Sequence, residues 1–156
     1  MNYSPYTTSD QLRLECAHNN IPLNFIGFKD ELNYRQPYNG AYIVNMQNST
    51  DRAGRQNSGT HWTCFILTDS RCYYFDSFQA LAPRAVERFF KRREYGYYTS
   101  NNMDIQNINA GGCGEYCVAF LNFMYNSRPA MRYNVFLGKW SRRPGSNLRI
   151  LKKMLL

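Results

Sequence analysis

Gly59-Thr60-His61-Trp62-Thr63-Cys64-Phe65-Ile66-Leu67-Thr68-Asp69-Ser70-Arg71-Cys72-Tyr73-Tyr74-Phe75-Asp76-Ser77-Phe78 is the stretch from which the fold is read. Two runs rich in β-branched and aromatic residues, His61 to Leu67 and Cys72 to Phe75, flank Thr68-Asp69-Ser70-Arg71, a spacer of hairpin length built from turn formers. They predict an antiparallel pair. In such a pair the start of one strand lies beside the end of the next, so His61 and Asp76 become neighbours and the carboxylate can orient the imidazole. Asp69 belongs to the turn, at the far end from His61.

Working outward, Gly40-Ala41-Tyr42-Ile43-Val44-Asn45-Met46 has strand composition, and the polar stretch Gln47 to Gly59 is a long surface loop that ends just before His61. Farther upstream, Ser9 or Asp10 would cap a short helix carrying Leu12, Leu14 and Cys16. Ile21 to Phe28 is apolar but interrupted by Pro22, and Asn33 to Asn39, with Pro37, reads as a loop. Downstream, Pro83 suits the first turn of a helix that buries Val86, Phe89 and Phe90 and turns Arg84, Arg88, Lys91 and Arg92 elsewhere. Asn101 to Gly112 is a polar loop. It leads into Cys113-Gly114-Glu115-Tyr116-Cys117-Val118-Ala119-Phe120-Leu121-Asn122-Phe123-Met124-Tyr125, which is apolar on several faces and reads as a buried helix. From Trp140 to Leu156 basic and apolar residues alternate, as in a basic amphipathic helix or a frayed end.

His18 and His61 are the two histidines of the chain, so a cysteine–histidine enzyme must use one of them. Cys113 stands at a helix N-terminus, where unpaired N–H groups and the helix dipole favour a thiolate. Gly111 and Gly112 before it leave room for a substrate backbone. Gln106 is an uncharged donor in a loop able to fold back, and with the Cys113 N–H it can bind the oxyanion of an acyl-transfer intermediate.

These residues, in this order, resemble a known family. Ile43-Val44-Asn45, Gly59-Thr60-His61-Trp62, Tyr74-Phe75-Asp76-Ser77-Phe78, Gln106 and Cys113-Gly114-Glu115-Tyr116-Cys117-Val118-Ala119-Phe120-Leu121 resemble the adenovirus-type (adenain-like) maturation cysteine proteases. More distantly they are similar to the ubiquitin-like-protein-specific proteases of the same clan. The resemblance implies an α+β fold, papain-like with permuted order, whose central, mostly antiparallel sheet is packed by the helix starting at Cys113. It also implies roles: Cys113 as nucleophile, His61 as base, Asp76 as orienting acid, Gln106 as oxyanion donor, with Trp62, Gly111 and Gly112 at the substrate. The adenovirus enzymes carry Glu where Asp76 stands, while the ubiquitin-like proteases carry Asp. Gln79 stands where the family usually has Gly, and there is no equivalent of the cysteine that anchors an activating peptide.

Implied with the family is cleavage at Gly-Gly or Gly-X sites in viral capsid or core precursors, in the virion and infected host cell, with DNA as an activating polyanion. The alternatives are a deubiquitinase or deconjugase of ubiquitin-like proteins, and an inactive protease fold that binds nucleic acid. The net charge of +8 fits a polyanion, through Arg84, Arg88, Lys91, Arg92, Arg93, Arg142, Arg143, Lys152 and Lys153. The 156 residues suit one domain, 1–156, expected to be a monomer that needs no cofactor for its chemistry. A polar N-terminus and five unevenly spaced cysteines predict a reducing intracellular compartment rather than secretion, and no membrane partner. A zinc site is disfavoured because His61 and Cys64 fall on opposite faces of a strand and no CxxC pair exists.

Overall fold

The predicted hairpin is the middle of a five-stranded sheet in a computed structural model that describes residues 8–94, 97–106, 111–125 and 129–155. Along the chain the elements are α1 (Ser9–His18), β1 (Leu23–Phe28), a 3-10 turn (Lys29–Tyr34), β2 (Gly40–Asn45), β3 (Trp62–Leu67) and β4 (Cys72–Phe75). After them come α2 (Arg84–Lys91), β5 (Thr99–Ser100), α3 (Cys113–Tyr125), α4 (Pro129–Gly138), a second 3-10 turn (Pro144–Ser146) and α5 (Asn147–Met154). Residues 107–110 of the polar loop, and Leu156 of the basic C-terminal segment, lie outside the described residues.

Strand order is β1-β2-β3-β4-β5. The inner pairings, β2 with β3 and β3 with β4, are antiparallel, and the outer ones, β1 with β2 and β4 with β5, are parallel. Cys64 faces Phe75 in register, which carries the chain past Asp76 beside the start of β3. The fold is therefore α+β with an antiparallel centre, as expected, and its parallel flanks make the sheet mixed.

Both faces of the sheet are covered, which explains why β3 and β4 read as continuous apolar runs rather than as alternating ones. Ala41, Ile43, Cys64, Ile66, Tyr73 and Phe75 face α1, α3, α4 and α5. Tyr42, Val44, Phe65, Leu67, Cys72 and Tyr74 face α2 and the first 3-10 turn. The Cys113 helix is seated by aromatic packing. Phe75 and Phe120 stack with ring centroids 4.9 Å apart, and Phe136 of α4 meets Phe75 edge-on at 5.5 Å. The Tyr133 hydroxyl of α4 donates to the Tyr74 carbonyl at 3.0 Å. Truncating a ring so buried costs about 3–5 kcal/mol, so the position of Cys113 is tied to the core.

Two local expectations are corrected. The cap of α1 is Thr8 rather than Ser9 or Asp10: the Gln11 N–H donates to its hydroxyl, and the Thr8 N–H donates back to the Gln11 side chain at 2.9 Å. Four cap-competent residues, Thr7 to Asp10, stand in a row in the sequence, and only Thr8 has the Gln three residues on that completes a reciprocal box. The C-terminal helix is shorter than the segment read as amphipathic, because Pro144 and Gly145 form a separate turn before Asn147.

Candidate active site

His61 is fixed by the ends of two loops. Its carbonyl accepts the Met46 N–H at 2.9 Å, and Asn45, 2% exposed, accepts the Thr60 N–H at 3.1 Å and the Gln47 N–H at 3.0 Å through its side-chain oxygen. Gly59 approaches that carboxamide so closely that a Cβ would stand 2.7 Å from the Asn45 nitrogen, and its φ of +98° is one that side chains resist. The loop thus delivers His61 to the start of β3.

There the imidazole Nε2 lies 2.7 Å from Asp76 Oδ1. Asp76 is 1% exposed, and the same oxygen accepts the Phe78 N–H at 2.9 Å, so this buried carboxylate is paired. The Phe78 ring stacks on the imidazole with centroids 4.6 Å apart. Gln79 holds a φ of +67° while its N–H donates to the Asp76 carbonyl at 2.9 Å. The turn after Asp76 thus keeps the left-handed geometry a glycine adopts freely, at a cost of roughly 1 kcal/mol.

Nε2 is taken by Asp76, and Cys113 is the second group that acts on the imidazole. The Trp62 N–H donates to Cys113 Sγ at 3.5 Å. Burial is the strongest single influence on His61 and opposes its protonation. The hydrogen bonds to Asp76 and Cys113, with the charges of both, together outweigh it and push the imidazole pKa up to about 9. With a pKa of about 9 the ring carries its proton at neutral pH. Along the chain the order is His61, Asp76, Cys113, the permuted papain-like arrangement.

Gln106 is 4% exposed and bound to the residue after Asp76. The N–H groups of Ile105 and Gln106 both donate to the Ser77 carbonyl at 2.9 Å, and the Ser77 hydroxyl donates to Gln106 Oε1 at 2.6 Å. Asn101 ties the same loop to β4: its amide donates to the Asp76 carbonyl at 2.6 Å, and its oxygen accepts the Asp76 N–H at 3.1 Å. A cleft of about 500 Å³ opens at Cys113 and Trp62, with Phe28, Glu31, Asn45 and Gly59 along its walls. Gly112 is buried with a φ of +113° and is packed by Tyr116 and Leu151; Gly111 before it is half-buried. Among the described residues no group of three or more His, Cys, Asp or Glu side chains is arranged to hold a metal ion.

Ser77, Phe78, Asn101 and Asn147 belong to this neighbourhood and are missed by sequence reasoning. Ser77 and Phe78 stand inside the quoted motif, so adjacency to Asp76 was the available signal. Asn101 and Asn147 act from 25 and 42 residues away from their partners, Asp76 and Ile105, and nothing local marks them.

No family model matches the sequence, and no curated protein is similar to it in sequence. Among solved structures, the selenomethionine ASFV pS273R protease superposes on 98% of this chain and 68% of its own, with a TM-score of 0.57 at 13% identity. An AvrA deletion variant solved with IP6 and CoA superposes on 75% of this chain with a TM-score of 0.48 at 18% identity; this chain spans about half, 49%, of its length. The first likeness extends over nearly the whole chain and is a likeness of fold.

Proposed function

We propose that this protein is a cysteine endopeptidase that cleaves Gly-Gly or Gly-X sites in capsid or core precursors of a DNA virus during virion maturation. One observation carries the reading: an imidazole hydrogen-bonded to a buried carboxylate has its pKa raised by that carboxylate and by a cysteine that lines a cleft. The fold shared with a viral protease supports the chemistry, and the motif resemblance supports the substrate class.

In this mechanism the Cys113 thiolate attacks the scissile carbonyl carbon, and the carbonyl π electrons become an oxyanion, held by the Cys113 N–H and the Gln106 carboxamide. Collapse expels the amine, which takes the proton of the His61 imidazolium. His61, now neutral, removes a proton from water, and the hydroxide attacks the thioester. The acid leaves, and the imidazolium–thiolate pair is restored. Asp76 holds the ring throughout and stabilises its charge. Arg84, Arg88 and Lys91 project from α2 into solvent and suit DNA as an activating polyanion, while Arg92 and Arg93 bond to the carbonyls of Leu32 and Pro37, both at 2.7 Å.

Quenched peptides with a central Gly-Gly-X or Gly-X-Gly, incubated with and without duplex DNA, test the reading, with Cys113→Ala as control. Cleavage on the carboxyl side of glycine by the wild type, lost in the variant, is the expected result. Reaction confined to a ubiquitin-like Gly-Gly probe would replace the endopeptidase reading with deconjugation. Absence of turnover on every substrate, in both conditions, would reject the enzyme.

A further inference from the structure

Among the described residues that line the cleft at Cys113, Glu31 is the one acidic side chain, and no lysine or arginine stands with it. The chain has 19 Lys and Arg against 11 Asp and Glu, yet this carboxylate enters no ion pair among the described residues. A local role accounts for one of its oxygens. Glu31 Oε1 accepts the Phe28 N–H at 2.9 Å and so closes the start of the first 3-10 turn. Gly27 makes room for it: a Cβ there would stand 3.0 Å from Glu31 Oε1 and 2.9 Å from the Phe25 ring. The carboxylate therefore lies against β1, an edge strand, and Gly27 and Phe28 line the same cleft. Its second oxygen, Oε2, makes no hydrogen bond among the described residues, and the side chain belongs to a half-buried residue.

Sheet register fixes how far this charge lies from the reacting sulfur. Phe28 pairs with Asn45 and Asn45 with Trp62, whose N–H donates to Cys113 Sγ at 3.5 Å. Phe28, Asn45 and Trp62 all line the cleft, which thus runs across the ends of three strands. Strands lie about 4.8 Å apart, so Phe28 is about 10 Å from Trp62 across the sheet. An extended peptide advances about 3.3 Å per residue and covers that distance in about three residues.

The direction of the peptide follows from the proton. In the mechanism above the leaving amine takes its proton from His61, which bonds to Asp76 just beyond the end of β4. Strand β1 lies on the opposite side of β3 from β4. The part of the substrate after the cleaved bond departs toward His61, and the part before it runs toward β1 and Glu31.

We propose that Glu31 is a specificity residue of the cleft, and that preferred substrates carry lysine or arginine at the third or fourth place before the cleaved bond. The inference rests on the protease reading above and narrows its Gly-Gly and Gly-X substrates to those with a basic residue upstream. The cationic head donates to Glu31 Oε2, and the methylene stem lies along the Phe28 wall. The net charge of +8 repels a basic peptide at long range, but salt screens that field over about 8 Å and the charge in contact decides.

Quenched peptides with glycine before the cleaved bond, and lysine, norleucine or glutamate at the third or fourth place, test this through kcat/KM. Lysine is expected to exceed norleucine, which has the same stem without the charge, by about 10-fold at one of these places, with glutamate below both. Glu31→Gln keeps an oxygen for the Phe28 N–H and removes only the charge, so it separates support of the turn from selection of substrate. It is expected to bring the lysine and norleucine peptides within about twofold of each other, and Glu31→Lys to favour glutamate over lysine. The ratio between two peptides is insensitive to partial loss of folded protein. Should neither variant fold, the wild type alone decides, because a preference made by an ion pair shrinks from about 10-fold at low salt to about threefold or less at roughly 0.5 M.

A wild type inactive on every peptide overturns the protease reading and this proposal with it. An active wild type that cleaves lysine and norleucine peptides equally overturns the proposal alone. So does a lysine preference that survives in Glu31→Gln, or one that salt leaves undiminished.

Discussion

A His61→Ala protein is expected to lose peptide hydrolysis by at least ~10⁴-fold, the largest effect of any single substitution outside Cys113. In the proposed mechanism the imidazole has two jobs in one place: it gives a proton to the departing amine and activates the water that frees the acyl group. Asp76, the described bonding partner of the imidazole, is itself held by His61 and by the Phe78 N–H. The substitution also leaves a buried carboxylate with one partner fewer, at a cost of about 1–3 kcal/mol. Thermal unfolding measured beside the initial rates separates the two effects. A stable variant that retains a tenth of wild-type activity would remove His61 from the mechanism.

Asp76→Asn is expected to lower kcat/KM by roughly 10²- to 10⁴-fold and to change the shape of its pH profile. In the wild type His61 must be protonated to release the amine, so activity falls as pH rises through about 9. The asparagine keeps an oxygen near Nε2 but removes the charge that helps to hold the proton. Burial, which opposes protonation, then has less against it, and the alkaline limb moves to lower pH. Stability follows the same sign. A pKa raised from 6.5 to about 9 contributes stability that is fully present below about 6.5 and lost as pH rises through about 9, and Asp76→Asn narrows that window from its upper end. An alkaline limb that stays near 9 in the variant would show that Asp76 does not control His61.

The central hairpin was legible because both of its determinants are local. Thr68 to Arg71 has turn chemistry, and the Thr68 N–H duly donates to the Arg71 carbonyl at 2.9 Å; the apolar runs on either side set a register that leaves Asp76 beside His61. The Cys113 helix was legible for a similar reason, as an apolar run opened by Gly111-Gly112. The sheet edges were not. Strand β1 contains Asn24 and Gly27 and follows Pro22, and β5 is only Thr99–Ser100; each exists through pairing with a distant partner, Ala41 to Asn45 for the first and Tyr73–Tyr74 for the second. Helix α4 carries Tyr133, Phe136 and Leu137 at helical spacing, a pattern that the glycine and the basic residues after it obscured. At the candidate site, His61, Asp76, Gln106 and Cys113 were singled out in the sequence, and the residues that hold them were missed. Asn101 and Asn147 look like ordinary loop and cap residues until their partners are brought to them by the fold.

Held this way, the site is fixed from several independent elements: the Asn45 brace beneath the His61 loop, the turn of Asp76 to Gln79, the Asn101 and Ser77 ties to the Gln106 loop, and α5 through Asn147. Preorganisation of this kind lets fixed dipoles meet charge as it develops, with little reorganisation during the reaction.

The central claim is that Cys113 is a nucleophile made reactive by His61. Brief exposure of the native protein to iodoacetamide at mildly acidic pH, followed by peptide mass spectrometry, tests it directly. Cys16, Cys64, Cys72 and Cys117 are buried, and burial pushes the Cys16 thiol up to about 12 and those of Cys72 and Cys117 upward as well. Fast, selective modification of Cys113 that disappears in His61→Ala is the predicted result. Modification of Cys113 no faster than that of the other four, with or without DNA, would contradict the account.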